Sequence, residues 1–412
     1  MRTAMLALPI LFGMGAFTSA AAQDAGSVQL PAAKSKREIQ TRVGVITEHH
    51  TNIAQTDAAT AASRGIERND WTVRPVVQVR VLQPLGRNAL FVNADGGYLF
   101  HKNNTRLDSR TINVSGGGVS NLGSCQVAGT GTYSVSQSEL GDIVGPIVKN
   151  LRTTRSVGAQ VNCGRPVGFG GSLSANRSWA RNSATTIKEA NSTTDTLQAA
   201  VRYQNKGLGT IAVQGSYVES RYPNRQTLQL SALGLGETVI IRNVGVEYQK
   251  TIGSKLNVAG SVALTRLKRG APPNGVKPKF SSTTYSGDMI YKFTSRTQLE
   301  VSAERSVKPS NTVGKLYDKE TRSEIELRHN LGTRLLITLG ASRDDLASNT
   351  DGSSSFLIYT KARTDSIYGS IRYQRAKLGS LALELRQDDR NTDKSAYDYR
   401  DTRAMMTLEA QF

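Results

Sequence analysis

Polar and apolar residues alternate along much of this chain, as they do in β-strands whose two faces meet different surroundings. Near the end of the chain, Leu335, Ile337 and Leu339 share one face, and Thr338 and Gly340 share the other. This period of two predicts an all-β protein.

In the second half of the chain the alternating strands form a repeated hairpin, in which tight turns alternate with long polar loops. The predicted tight turns are centred on Lys206–Gly209, Ile252–Ser254, Thr294–Arg296, Asn330–Thr333 and Lys377–Ser380. Long loops on one side and short turns on the other are typical of bacterial outer-membrane barrels, whose short turns are periplasmic. A soluble β-sandwich, the alternative architecture, gives no reason for this asymmetry.

We therefore expect a single transmembrane antiparallel up-and-down β-barrel of about 18 strands, with 16 strands as the alternative. In the first half the alternation is weaker. Candidate strands there start near Thr41, Val73, Ala89, Ser109, Cys125, Ser156 and Gly168.

The start of the chain has the three parts of a secretory signal: the cation Arg2, the apolar run Ala4–Phe17 and small residues at Ala20–Ala22. We expect a signal peptide over residues 1–22, a flexible periplasmic leader over 23–40 and the barrel over 41–412.

The last strand alternates to a terminal aromatic residue, Phe412. It looks like the C-terminal strand of outer-membrane barrels, which implies that Phe412 is part of the signal read by the barrel-assembly machinery. The expected location is the bacterial outer membrane, with both termini in the periplasm.

The chain has two cysteines, and exported chains meet an oxidising compartment. Cys125 begins one predicted strand and Cys163 ends the next, so antiparallel pairing brings them together. On each strand, the cysteine lies on the same face as the apolar residues. We predict a Cys125–Cys163 disulfide facing outward. Two unpaired thiols are the alternative.

The formal net charge is +19, which in a soluble protein would suggest a nucleic-acid partner. An exported chain makes nucleic acid a poor candidate, so the question becomes whether the charge lines the pore or lies at its rim. Strand parity predicts a mixed, slightly acidic lumen. Its predicted charged residues include Arg74, Arg80, Arg202, Glu247, Glu300, Glu304, Glu324, Glu326, Arg328, Arg372, Glu384 and Arg386.

The surplus positive charge must then lie elsewhere, and one outer loop is basic with no acid in it. This predicted basic rim comprises Arg266, Lys268, Arg269, Lys277 and Lys279. Such a rim would attract anionic polymers or bind lipopolysaccharide phosphates beside the outer-membrane lipid. Simple solvated loop charge is the alternative.

Another loop, Leu140–Leu151, is apolar enough that full exposure would be costly, and we expect it to fold into the barrel mouth as a constriction. An extension of a strand at the outer edge, or a contact with another loop, is the alternative. For catalysis, His101 beside Asp95 and Asp108 is the best-placed general base. No nucleophile elbow, phosphate loop or zinc motif appears, so we expect neither an enzyme nor a cofactor.

The segment Arg42–Leu107 resembles the outer-membrane β-barrel porins encoded beside bacterial exopolysaccharide-synthesis genes. The matching motifs are His50-Thr51-Asn52-Ile53, Arg68-Asn69-Asp70, Arg74-Pro75-Val76-Val77, Pro84-Leu85-Gly86-Arg87-Asn88, Gly96-Gly97-Tyr98-Leu99-Phe100-His101, Asn104 and Leu107-Asp108. Where members of that family often have two acidic residues, this chain has His50-Thr51.

The resemblance implies a conduit for a surface polysaccharide, with polysaccharide and periplasmic export proteins as partners. Two other functions remain open: a general diffusion porin for small solutes, and a structural or adhesion barrel.

Overall fold

A computed structural model describes residues 37–138, 149–225, 236–270, 279–310, 315–350, 359–375 and 379–412. Their strands form one antiparallel sheet of 18 strands in which each strand pairs with its chain neighbours. β1 also pairs with β18, which closes the sheet into a barrel. The predicted all-β barrel is confirmed, with 18 strands rather than 16.

The strands run over the following residues. They are β1 Glu38–His50, β2 Asp70–Leu85, β3 Asn88–His101, β4 Ser109–Leu122, β5 Cys125–Gln137, β6 Leu151–Gly164, β7 Gly168–Asn182, β8 Ser192–Asn205, β9 Gly209–Tyr222, β10 Glu237–Ile252, β11 Leu256–Arg269, β12 Lys279–Lys292, β13 Thr297–Pro309, β14 Lys315–Leu331, β15 Leu335–Thr350, β16 Lys361–Arg375, β17 Gly379–Thr392 and β18 Tyr399–Gln411.

The barrel has a turn end, with short connections such as 86–87, and a loop end, with longer ones such as 51–69. A short helix, α1 (Ala58–Ser63), lies in the loop between β1 and β2. None of the helices in the described ranges is long and apolar enough to cross a membrane. The predicted signal peptide and most of the predicted leader lie outside the described residues.

Some strands extend further than the alternation predicted. β1 begins at Glu38 rather than Thr41, and β6 begins at Leu151 rather than Ser156. The loop-end part of β6 lies beyond the apolar band of the exterior, so its outward positions, such as Arg155, are polar. Polar and apolar residues therefore do not alternate there, and the sequence pattern did not reveal the start of the strand.

Outward positions carry apolar side chains across the middle of the wall. Val244 is 64% exposed, Leu264 62% and Leu385 64%, so the isolated barrel presents an apolar band to its surroundings. Outward aromatic pairs lie toward the strand ends, with ring centroids 4.6 Å apart for Tyr98 and Phe100. The band requires an apolar environment around the barrel.

The two cysteines meet at the turn end. Cys125 and Cys163 are directly opposed where β5 pairs with β6, and their Cα atoms are 4.0 Å apart. Their sulfurs are bonded at 2.09 Å, and no described cysteine is free. The bridge joins adjacent strands on the outward face.

An apolar cluster fills the inward face of β2–β5 near the turn end. It consists of Leu82, Ala89, Phe91, Val119 and Ala128. The Phe91 ring lies over Gly117, where an added Cβ would be 3.0 Å from the ring and 2.2 Å from the Gly129 oxygen. Glycine at position 117 is therefore required for this close approach.

Folded loops close part of the loop end over β1–β3 and β18. Ala54, Ala61, Ile66 and Leu107 form a small apolar core between the β1–β2 loop and the β3–β4 loop. Arg106 donates a 2.5 Å hydrogen bond to the Arg64 oxygen. We call these two loops the cap.

Buried carboxylates hold the cap to the strands. Asp70 is fully buried and accepts hydrogen bonds from the backbone of Asn103 (2.9 Å) and from the Asn104 side chain (2.7 Å). Asp401 accepts from the Asn52 backbone (2.8 Å) and contacts His50 Nδ1 at 2.9 Å. The cap therefore depends on buried acceptors that strand ends supply.

We expect Asp70→Asn to loosen the cap, because an amide NH₂ replaces one acceptor oxygen and leaves buried donors unsatisfied, at a cost of about 1–3 kcal/mol. Limited trypsin digestion of the folded barrel should cleave the variant in the 51–69 loop faster than the wild type. Asp365→Asn, an exposed exterior change, is the control. Equal cleavage of the Asp70 variant and the wild type would contradict this role.

Candidate functional site

The lumen is the candidate site, and its wall is divided by charge. Strand pairing gives every residue an inward or an outward position. On β4–β9 the inward positions carry mainly Ser, Thr, Asn, Gln and Gly, with Arg152 and Arg202 as the charged residues. We call this half of the lumen the neutral wall.

The charged wall consists of β13–β18 together with β1–β3. Of the residues predicted for the lumen, those at inward positions here are Arg74, Arg80, Glu300, Glu304, Glu324, Glu326, Arg328, Arg372, Glu384 and Arg386. Arg202 points inward on β8 of the neutral wall, and Glu247 points inward on β10.

Carboxylates concentrate on β13–β15. Arg328 pairs with Glu300 at 3.2 Å and also with Glu326, and Arg322 bonds Glu324 at 3.1 Å. These pairs keep the acids together despite their like charge. The acids outnumber the arginines, so this part of the wall is acidic.

Tyr368 bridges two of these acids. Its hydroxyl lies 2.7 Å from Glu324 and 2.8 Å from Glu326, and its single proton can be donated to one of them at a time. The ring lies over Gly340, where an added Cβ would be 2.2 Å from it. Gly340 therefore makes room for the bridge.

A column of arginines runs down β16–β18, β1 and β2 from the loop end to the turn end. Its members are Arg390, Arg386, Arg403, Arg74, Arg372, Arg80 and Arg42. Arg386 and Arg403 are directly opposed, although Arg386 also bonds Asp388 at 2.8 Å. We call this set the basic column.

Three members of the basic column, Arg74, Arg390 and Arg403, have an Nε atom that is buried and has no hydrogen-bond partner within the described part of the chain. Glu48 is the acid that the strand register places nearest to Arg403, and its carboxylate lies 3.1 Å from Nε2 of His50. An anion in the lumen would be attracted by the positive charge of the guanidinium groups in this column.

The loop end of the β13–β14 hairpin leaves the barrel wall. β12 pairs with β13 only from Tyr285 to Lys292, so the loop-end part of each strand is unpaired with the other. The alternation of each strand would point Tyr317 of β14 outward and Phe280 of β12 inward. Their rings nevertheless stack, with centroids 4.2 Å apart. This contact requires the hairpin end to fold into the lumen.

Apolar packing holds the folded hairpin against the inner face of β9–β11. Val307, also of outward parity, is buried in one cluster with residues of that face. The wall residues of the cluster are Val218, Tyr222, Val239, Ile241 and Leu267. Burying such side chains stabilises the contact by about 1.5–3 kcal/mol each.

A buried ion-pair cluster anchors the same contact. Glu237 is 1% exposed and pairs with Arg269 and, at 3.6 Å, with Arg225. Arg225 also donates to the Ser310 oxygen at 3.1 Å, at the hairpin end. Placing Arg269 in the outer rim was therefore wrong, because its strand parity turns it inward.

The hairpin narrows the lumen without filling it. A cavity of about 50 Å³ lies beneath the hairpin, lined by Gln198, Gln214, Asn243, Thr265 and Glu304 among others. With the hairpin in front of β9–β11, the neutral wall and the basic column face the part of the lumen that the hairpin does not cover.

The other predicted rim residues have different positions. Arg266, Lys268 and Lys279 point outward from β11 and β12, on strands rather than in a loop, and Lys277 lies outside the described residues. Most of the Leu140–Leu151 segment also lies outside them. Its expected constriction stays a prediction, whereas the narrowing that the structure describes comes from the β13–β14 hairpin.

His101 has a structural environment. It is buried, its Nδ1 lies 3.1 Å from Asp108, and its backbone donates to the same carboxylate at 2.7 Å. Asp95 lies further along the strand toward the turn end. The His101–Asp108 contact closes the base of the β3–β4 loop.

Solved structures resemble this barrel along nearly its whole length. Pseudomonas aeruginosa OccK2 (OpdF), in complex with glucuronate, superposes with a TM-score of 0.51 at 9% identity, covering 93% of this chain and 100% of that one. The chain has the fold of an outer-membrane porin.

Two further structures agree. The outer membrane protein opdK of Pseudomonas aeruginosa gives a TM-score of 0.50 at 10% identity, over 91% of this chain and 99% of that one. A BenF-like porin from Pseudomonas fluorescens Pf-5 gives a TM-score of 0.50 at 11% identity, over 92% of this chain and 100% of that one. No family model and no curated protein sequence matches the chain.

Parity reasoning missed the folded hairpin, although the sequence carries a signal for it. Val218, Val239, Ile241 and Leu267 are apolar at inward positions near the loop end, where a water-filled lumen favours polar residues. An apolar patch on three adjacent strands needs a cover.

We expect Glu237→Gln to release the hairpin. Removing the carboxylate leaves Arg225 and Arg269 buried without a counter-charge, at a cost of about 3–5 kcal/mol. Single-channel conductance in planar bilayers should rise and become noisier.

Glu247→Gln is the matched control, since it changes another inward glutamate of β10 nearer the turn end. Unchanged conductance and noise in a folded Glu237 variant would show that this anchor does not hold a constriction.

Proposed function

We propose that the protein is an outer-membrane channel for small solutes. The single observation that carries this proposal is a lumen narrowed by a wall-anchored hairpin inside a barrel with an apolar exterior. The porin fold supports it. The same likeness favours a channel with no catalytic role.

The orientation follows from the physics of such barrels. The short turns, the start of β1 and the end of β18 lie at one end, which we assign to the periplasm, and the loop end then faces outward. The proposal retains the signal peptide over 1–22 and Phe412 as the mark for the barrel-assembly machinery.

The basic column favours small organic anions as the preferred solutes. The inward guanidinium groups of Arg74 and Arg403 suit a carboxylate, since guanidinium groups bind carboxylates with directed hydrogen bonds. Hydroxyl and amide groups of the neutral wall suit the uncharged polar parts of a solute. The glucuronate bound to OccK2 is a solute of this chemistry.

The polysaccharide conduit suggested by the resemblance is the weaker proposal. A polymer chain would have to pass the folded hairpin, or displace a contact that holds both an ion-pair cluster and an apolar cluster. Small-solute passage needs no such rearrangement, and it requires neither a polysaccharide nor periplasmic export proteins as partners.

We expect the double change Arg74→Gln and Arg403→Gln to reduce anion preference. An ion about 4 Å from a unit charge in water gains ~1 kcal/mol, which corresponds to about fivefold for each charge lost, so the double change should lower the anion-to-cation permeability ratio by about fivefold or more. Reversal potentials in a salt gradient across a planar bilayer measure this ratio.

Arg400→Gln, on the outward face, is the control for net charge. If the double variant has the same permeability ratio as the wild type, an anion path along the basic column is contradicted. If long neutral oligosaccharides of any length enter the lumen and block the ion current, the polysaccharide conduit is favoured instead.

A further inference from the structure

The exterior of the barrel carries charged side chains near the loop end, and four pairs of them oppose a partner of opposite sign on the neighbouring strand. Arg177 faces Asp195, Arg343 faces Asp365, Asp345 faces Arg363, and Asp389 faces Arg400. Their ion-pair distances are 2.5, 2.6, 2.8 and 2.9 Å. This arrangement is the one that stabilises a sheet surface.

Like charges also face each other directly on the exterior. Asp195 opposes Glu219 and Asp365 opposes Asp389, but each of these acids forms an ion pair with an arginine.

One group of opposed cations has no such partner. Arg242 on β10 directly opposes Arg266 on β11, and Lys268 on β11 directly opposes Lys279 on β12. All four side chains are exposed. Like charges directly opposed destabilise a sheet, so this basic patch lacks a counter-charge.

The described residues do not provide one. Within the described ranges none of the four residues forms an ion pair, and the neighbouring outward acid, Glu219, is occupied by Arg221 (2.7 Å) and Tyr217 (2.9 Å). The sequences 226–235 and 271–278, which lie outside those ranges, contain no Asp or Glu. An anionic group of another molecule would supply the counter-charge that these four cations lack among the described residues.

The patch lies at the boundary of the apolar band. One outward position closer to the turn end, Val244 follows Arg242 on β10, and Leu264 precedes Arg266 on β11. Both are more than half exposed. A ligand that satisfies the patch therefore has an anionic group at the level of the patch and an apolar part below it.

We propose that Arg242, Arg266, Lys268 and Lys279 bind the phosphates of an outer-leaflet glycolipid. One phosphate bridges Arg242 and Arg266, and a second lies between Lys268 and Lys279, while acyl chains cover Val244 and Leu264. Guanidinium and ammonium groups are suited to phosphate oxygens. The site rests on the proposed location in the outer membrane with the loop end outside.

The test compares retention of bisphosphorylated lipid A with retention of its dephosphorylated form by the whole barrel in zwitterionic detergent, measured by native mass spectrometry. The variant replaces all four patch residues with Gln. We expect the wild type to retain the phosphorylated form about tenfold better, and the variant to lose this preference.

The matched control also removes four exterior cations, but from paired positions: Arg177→Gln, Arg343→Gln, Arg363→Gln and Arg400→Gln. It should keep the preference. Equal loss in both variants, or no preference in the wild type, would overturn the site.

Thermal unfolding in the same detergent gives an independent measure of folding. Without lipid A the patch variant should unfold at a higher temperature than the wild type, because the opposed cations are gone. Phosphorylated lipid A should raise the unfolding temperature of the wild type alone. A lipid-induced rise of equal size in the patch variant would contradict the proposal.

The lipid test is separable from the channel function, because it needs no conduction. A wild type that conducts small anions but does not distinguish the two lipid forms refutes the lipid site and leaves the channel intact. Phosphate-dependent lipid binding by a barrel that conducts nothing refutes the channel and leaves the lipid site.

Discussion

Closure of the sheet through the β1–β18 pairing is the constraint on which the rest of the molecule depends. Once the sheet is closed, each strand has one face toward the lumen and one toward the outside, and a shift of one residue would exchange them. The neutral wall, the basic column and the outward apolar band all follow from this register. The β13–β14 hairpin departs from it, since Val307 and Tyr317 have outward parity yet pack inside.

Alternation is a local property, and it was sufficient to predict a closed antiparallel barrel of about 18 strands. It also gives side-chain direction wherever a strand stays in the wall. It could not reveal that the hairpin end folds inward, because that depends on contacts between β9–β11 and strands distant in sequence. The same limit explains Arg269, which reads as part of a continuous basic loop until strand pairing places it beside Glu237.

The motifs of Arg42–Leu107 acquire a physical role in the structure. Asp70 and Asn104 tie the cap loops together, Asn52 donates to Asp401, and His101 contacts Asp108. Short polar motifs of this kind are required wherever strand ends and loops bury hydrogen-bonding groups. They explain a folded loop end, and they carry no information on what passes through the lumen.

The most direct test of the account is proximity between the hairpin and the wall. Phe280→Cys with Tyr317→Cys, in a chain with Cys125→Ser and Cys163→Ser, should be joined rapidly in the folded barrel by a short bismaleimide, because the two positions lie together inside the lumen. Phe280→Cys with Ile325→Cys is the control, since Ile325 points outward on β14. Cross-linking no faster than in this control would mean that the hairpin stays in the wall, and the account of a narrowed lumen would be wrong.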